Sequence, residues 1–130
     1  METRFKLLPL LLLLTLPAPG QAQFTFMTNN GAITITGHTG SVASVTNVTI
    51  PSTINGFPVT SIGDGAFTYC SSLTSITIAD SVTNIGASAF NECSGLTSVT
   101  IPAKATTIGD FAFSYTGLTN VTIPNGMTNM

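Results

Sequence analysis

The stretch Ile62–Ile78, with the sequence IGDGAFTYCSSLTSITI, decides the fold because its pattern returns twice further along the chain. Ile85–Ile101 reads IGASAFNECSGLTSVTI, and Ile108–Ile123 reads IGDFAFSYTGLTNVTI, which is one residue shorter. The three stretches begin 23 positions apart. Repetition at a fixed period of this size is typical of solenoids, in which stacked units share one core. The sequence therefore predicts a solenoid with coils of about 23 residues.

The end of each unit has the pattern of a β-strand. Ile76 and Ile78 alternate with Ser75 and Thr77, and this period of two places apolar and polar side chains on opposite faces. The β-branched residues of the segment also favour a strand. The same spacing recurs in every unit and in the earlier VTNVTI. We therefore predict four strands of one parallel sheet, at 45–50, 73–78, 96–101 and 118–123.

The first half of each unit has a different spacing. Ala66, Phe67 and Cys70 lie at i, i+1 and i+4, which predicts one face of a short helical or 3₁₀ turn. Asp64 and Asp110 precede two of these turns and are predicted to cap them by accepting backbone N–H bonds. The equivalent phenylalanines are predicted to form a column in the core: Phe67, Phe90 and Phe113.

The unit pattern IG..AF..C..LTS.TIP, with the opening VTIPSTINGFPVTSIGDGAF, resembles the BspA-like branch of leucine-rich repeat proteins. The resemblance covers about Val45 to Met130. It implies a β-rich α/β solenoid, a right-handed leucine-rich repeat coil with a parallel sheet and short helical turns. It also implies exported, surface-associated binding proteins, some of them adhesins, and no catalytic residues. The third unit departs from the pattern because Thr116 replaces the cysteine.

The first residues have the features of a secretory signal peptide. Arg4 and Lys6 precede the apolar run Leu7–Leu16, and small residues up to Ala22 form a cleavage site. The apolar run is shorter than the roughly 20 residues that a membrane-spanning helix needs. We therefore predict that residues 1–22 are a signal peptide and that the mature chain is secreted or at the cell surface, with no membrane span.

A hairpin is predicted between the signal peptide and the repeats. Two alternating runs flank Asn29–Gly31, so Phe24–Thr36 is predicted to form a β-hairpin that covers the first coil. This assigns 23–44 to an N-terminal capping hairpin and 45–130 to the repeats, of which the last is incomplete. An uncovered coil exposes core and sheet edge. We therefore expect the last coil to fray or to associate end to end with a second copy.

Charge argues against several classes of partner. The whole chain has a net charge of −2, and removal of residues 1–22 leaves one cation, Lys104. Binding to phosphates requires clusters of lysine and arginine. We therefore expect no nucleic-acid partner. The remaining carboxylates are Asp64, Asp80, Glu92 and Asp110.

The chain has two cysteines and one histidine that could carry chemistry. Cys70 and Cys93 occupy equivalent positions in adjacent units, about one rung apart, so a disulfide is conceivable in an oxidising compartment. We predict free, buried thiols that pack beside the phenylalanines. Zinc prefers four ligands, so no metal or other cofactor is predicted. His38 lies in TGHTG, which is interpreted as a loop, and no catalytic residue is assigned.

The outward positions of the predicted strands are the candidate binding face. Small hydroxyl and amide side chains can form hydrogen bonds with a protein or a glycan. Threonine also suits any exposed strand, so the pattern alone is compatible with no binding role. The candidate residues are Ser75, Ser98 and Asn120 in one column and Thr77, Thr100 and Thr122 in the next.

Three hypotheses follow from the sequence. The first is a non-enzymatic exported module that binds protein or polysaccharide at a surface or matrix. The alternative is a structural fragment of a longer leucine-rich repeat surface protein with no binding activity of its own. An enzyme is the least favoured hypothesis, because no triad or metal cluster is found in the sequence.

Overall fold

The structure, a computed structural model, describes residues 24–130, so the predicted signal peptide lies outside the described residues. This part of the chain contains nine strands and no helix. In chain order the strands are β1 (Phe24–Asn29), β2 (Ala32–His38), β3 (Asn47–Ile50), β4 (Thr53–Ile54), β5 (Phe57–Ile62), β6 (Ser75–Ile78), β7 (Asn84–Ile85), β8 (Ser98–Thr100) and β9 (Thr107–Ile108).

The predicted parallel sheet is present as β3, β6 and β8, here called sheet A. β3 pairs with β6 and β6 with β8, each in parallel and without a shift of register. The fourth predicted strand, 118–123, is wrong, since this segment has no strand and Val121 and Ile123 are 38% and 39% exposed. A last strand can bond on one side only. This unit is also one residue shorter than the others.

A second parallel sheet, here called sheet B, was not predicted. β2, β5, β7 and β9 lie side by side in parallel, β1 joins β2 as an antiparallel edge strand, and β4 pairs with β5. Ile35, Ile62, Ile85 and Ile108 follow one another along this sheet. β7 and β9 have two residues each, too few to show alternation in the sequence. Each coil therefore has three sides: sheet A, sheet B and a turn segment.

The turn segments are chains of β-turns, so the helical turn predicted around 66–70 is wrong. Thr68 N donates to Gly65 O at 3.1 Å within its own turn. Phe67 N instead donates to Ala89 O of the next coil at 2.8 Å. Alternate amides thus bond within the turn and between coils, whereas a helix would use all of them internally. The turn segments therefore join successive coils by backbone hydrogen bonds, as the sheets do.

This alternation requires left-handed backbone at two positions per coil. Gly65 and Tyr69 have φ values of +65° each. Left-handed backbone suits glycine and costs other residues about 1–2 kcal/mol. The later coils nonetheless have side chains there: Ser88, Glu92, Phe111 and Tyr115.

Asp64 was predicted to cap its own turn, and this was wrong. Its Oδ1 atom accepts a hydrogen bond from Ala87 N of the next coil at 2.8 Å. Gly86 allows this close approach, since a Cβ there would lie 2.5 Å from Asp64 Oδ1. The carboxylate therefore joins two coils.

The phenylalanine column is confirmed. The ring centroids of Phe67 and Phe90 are 5.3 Å apart, as are those of Phe90 and Phe113, with interplanar angles of 4° and 7°. Phe24 of β1 meets Phe67 edge to face at 6.3 Å. The apolar residues of both sheets pack around this column. They include Ile33, Ile35, Val48, Ile50, Val59, Ile62, Leu73, Ile76, Ile78, Val82, Ile85 and Leu96.

Candidate functional site

The outward side of sheet A holds most of the candidate binding residues. Ser75 lies beside Ser98 and Thr77 beside Thr100, so the predicted columns exist over these two strands. β3 extends both columns with residues that the sequence analysis did not include. Their signal was present, because β3 was already predicted to be the neighbouring strand. We call this surface the polar face: Asn47, Thr49, Ser75, Thr77, Ser98 and Thr100.

The two columns of the polar face differ in their hydrogen bonds. Ser75 Oγ donates to Asn47 Oδ1 at 2.6 Å, so this column is partly bonded to itself. Thr77 and Thr100 are exposed, and within residues 24–130 their hydroxyl groups make no side-chain hydrogen bond. The threonine column is therefore the part of the surface whose hydrogen-bonding capacity is available to a ligand.

Asn120 and Thr122 were predicted to extend the two columns, and this was wrong. Both are exposed, but they belong to the segment 118–123, which forms no strand. Between this segment and β8 the structure has a cavity of about 280 Å³. It is lined by Val99, Thr100, Ile101, Ala103, Thr122 and Pro124.

Other threonines have a structural role. Thr74 Oγ1 donates to Thr46 O at 2.9 Å, and Thr97 Oγ1 repeats the contact to Thr74 O at 3.4 Å. Directly before β9, Thr106 Oγ1 donates to Thr83 O at 3.2 Å. These hydroxyls bond the backbone of the preceding coil, so the high threonine content is only partly a surface property.

His38 was interpreted as a loop residue, and this was wrong. It ends β2, and its ring stacks on Phe67 with centroids 5.7 Å apart and an interplanar angle of 11°. Its Nε2 atom is 3.1 Å from Cys70 Sγ. His38 and Cys70 are 32 positions apart in the sequence and do not belong to a shared motif. No pattern in the sequence could therefore have indicated that they are in contact.

Cys70 and Cys93 are free thiols with no exposed surface, as predicted. Cys93 Sγ donates to Phe67 O at 3.0 Å. The hydrogen bond from Cys93, helped by the charge of His38 and opposed by burial, lowers the pKa of Cys70 to about 6. The same hydrogen bond and burial raise the pKa of Cys93.

Residues 24–130 contain neither a metal centre nor a membrane-spanning helix. No group of three or more His, Cys, Asp or Glu side chains there is arranged to hold a metal ion. Within the same range, no helix has the length and apolar character that crossing a bilayer requires.

Solved structures with the same architecture come from several bacteria. The T. pallidum leucine-rich repeat protein TpLRR superimposes with a TM-score of 0.73 and 29% identity, over 80% of this chain and 49% of that chain. A leucine-rich repeat protein from Bacteroides capillosus gives 0.72 and 28%, over 88% and 86%. One from Bacteroides ovatus gives 0.63 and 25%, over 88% and 36%. The chain thus spans about half the length of TpLRR.

The sequence itself also matches a known family. No curated protein matches the chain. The family described as BspA type leucine rich repeat region matches residues 34–130, in six copies. The match begins within β2, in the part of the chain that the sequence analysis assigned to the N-terminal cap. The chain belongs to the BspA type leucine-rich repeat family.

Proposed function

We propose that this chain is a non-enzymatic, exported binding module that recognises a protein or a polysaccharide at a cell surface or matrix through the polar face. The observation that carries the proposal is the exposed threonine column Thr49, Thr77 and Thr100, which runs in register across sheet A with its hydroxyls unused. Leucine-rich repeat proteins are generally non-enzymatic, which supports the same function class.

Recognition at this face would rely on hydrogen bonds. The polar face has no charged side chain, and its hydroxyls are spaced by the strand separation of about 4.8 Å. An extended ligand with a regular series of donors and acceptors fits such an array, for example a glycan chain or a peptide strand. Because ion pairing is absent from the face itself, we expect affinity to change little with salt.

The test is a glycan and matrix-protein array, followed by affinity measurements on each ligand found. The variant Thr77→Val/Thr100→Val removes two hydroxyls, keeps side-chain shape and should weaken binding about thirtyfold, since two net hydrogen bonds together contribute about 2 kcal/mol. The matched control is Thr28→Val/Thr39→Val, at two exposed threonines outside the polar face whose hydroxyls make no side-chain hydrogen bond within residues 24–130. Equal loss in both variants, or no ligand on either array with folded protein, would refute the polar face as a binding site.

A second candidate is end-to-end self-association through the last coil. Val121 and Ile123 are partly exposed, and the cavity beside β8 lies next to them. In addition, no backbone amide of 118–123 donates a hydrogen bond within residues 24–130. A second copy could cover these apolar side chains and pair with the unbonded edge of β8. Sedimentation at increasing concentration tests this, and Val121→Thr/Ile123→Thr should abolish any concentration dependence.

A further inference from the structure

Two thiols and an imidazole meet where the hairpin packs on the first full coil. His38 Nε2 lies 3.1 Å from Cys70 Sγ. The other ring nitrogen, Nδ1, is buried and has no hydrogen-bond partner within residues 24–130. The polar chemistry of the ring is therefore directed at Cys70 alone.

Cys93 occupies the equivalent position of the next coil. Beside the two cysteines, Tyr69 N donates to Asn91 O at 2.9 Å, so the coils here are one rung apart. That spacing is about 4.8 Å between backbones, within the range of roughly 4.4–6.8 Å that Cα atoms of disulfides span. Both thiols also point into the core. The backbone spacing therefore permits a bond between them.

We propose that Cys70, His38 and Cys93 form a peroxide-reactive thiol pair, in which His38 activates Cys70 and Cys93 closes a disulfide between two successive coils. This would be a modification site on the core side of the coil and is independent of binding at the polar face.

The reaction has two steps. The Cys70 proton passes to His38 Nε2, and the thiolate attacks one oxygen of hydrogen peroxide. The O–O bond breaks, and the departing hydroxide takes the proton from His38, which gives Cys70 sulfenic acid and one water. The Cys93 thiol then attacks the Cys70 sulfur, the S–O bond breaks, and the leaving hydroxide takes the Cys93 proton as a second water. Both thiols are oxidised, and one peroxide is reduced.

Burial selects the oxidant. Cys70 and Cys93 have no exposed surface, whereas His38 is partly exposed. Hydrogen peroxide is close to water in size, so it needs a smaller opening to reach Cys70 than a bulky disulfide such as oxidised glutathione does. We therefore expect hydrogen peroxide to react faster than oxidised glutathione at equal concentration.

The acidity of Cys70 agrees with this role. The titratable groups that face it are Cys93 from the next coil and His38 from β2, and both hold its pKa low, to about 6, against the effect of burial. The pKa of Cys93 is raised by the Cys70 hydrogen bond and by burial. Cys70 is thus the attacking sulfur, and Cys93 remains the protonated partner that resolves the sulfenic acid.

The experiment follows the reaction of the chain with hydrogen peroxide by intact mass and peptide mapping, with the rate measured from pH 5 to pH 9. We expect a loss of two mass units, a Cys70–Cys93 linked peptide and a rate with a midpoint near pH 6. His38→Phe keeps a ring to stack on Phe67 and removes the imidazole. It should slow the reaction about fivefold at pH 6 and move the midpoint upward.

Several outcomes would overturn the proposal. A midpoint above pH 8 in the unsubstituted chain would show that Cys70 is not activated, and this measurement does not depend on any variant folding. A gain of 32 mass units in place of the disulfide would show that Cys93 does not resolve the sulfenic acid. An unchanged rate and midpoint in a folded His38→Phe protein would remove His38 from the reaction.

Discussion

Phe90 is enclosed between Phe67 and Phe113 in the middle of the ring stack and has no exposed surface. Its position was predictable because three phenylalanines recur at one place in the unit. The His38 ring that stacks on Phe67 at the end of the column was not predictable. His38 lies outside the repeated pattern, and only the folding of β2 onto the first coil brings it to Phe67. The repeat in the sequence therefore identifies the residues of the phenylalanine column, but it does not identify His38, which covers the end of the column.

The first prediction concerns this column. Phe90→Ala should lower the free energy of unfolding by about 3–5 kcal/mol, since it leaves a cavity that stacked rings on either side cannot fill. Phe111→Ala, at a position 71% exposed, is the control and should cost less than about 1 kcal/mol. Urea unfolding of both variants measures the difference. Equal costs would show that Phe90 is not a core residue.

The second prediction concerns pH. The pKa of Cys70 is lowered to about 6 by its hydrogen bond with Cys93 and by His38, below an ordinary value of about 8.5. A lowered pKa adds stability that is fully present above the unfolded value and is lost as pH falls through 6. Stability should therefore rise between pH 6 and 8.5, by at most about 3 kcal/mol.

The raised pKa of Cys93 has the opposite sign. Above about pH 8.5 the unfolded chain ionises this thiol and the folded chain does not, so stability should fall again. Denaturant unfolding across pH 5–10 measures both slopes. Cys70→Ser keeps His38 and should flatten the rise between pH 6 and 8.5. An identical rise in Cys70→Ser would assign the slope to another group.

At the element scale, the strands of sheet A were predictable and the rest of the coil was not. Four-residue alternation as in β6 is long enough to show a period of two. The strands of sheet B are too short for that, and the spacing of Ala66, Phe67 and Cys70 fits a helix and a series of turns equally well. The turns form because alternate amides donate hydrogen bonds to the next coil. These bonds depend on how the coils pack and not on the spacing of residues within one unit.

The third prediction concerns the close approach of successive coils. A Cβ at Gly86 would lie 2.5 Å from Asp64 Oδ1 and 2.6 Å from Asp64 N. Gly86→Ala should therefore separate two coils and cost about 1–3 kcal/mol or more, as overpacking does. Gly40→Ala is the control, because its Cβ would meet nothing nearer than 3.6 Å. Thermal unfolding distinguishes them, and equal melting temperatures would contradict the account.

At the scale of the whole molecule, the chain is a solenoid of about three turns whose coils are joined on three sides. The repeat predicted the stacking direction and the parallel pairing of β3, β6 and β8. It did not predict where pairing stops. The last unit has the same strand pattern as the others, yet 118–123 forms no strand. The difference arises because a strand becomes regular only when the gain in hydrogen bonds and buried surface exceeds the entropy of ordering it.

Stacked parallel coils hold each other, and the pairing in sheet A ends after β8, whereas beside sheet B Thr107 still pairs with Asn129. Amide hydrogen exchange on a strictly monomeric sample tests this arrangement most directly, because protection reports which amides are bonded in the folded state. We expect slow exchange at 75–78 and in the turn amides of Phe67 and Tyr69, which donate to the next coil. We expect fast exchange at 118–123. Equal protection of 75–78 and 118–123 would contradict this arrangement of the coils, as would fast exchange at Phe67.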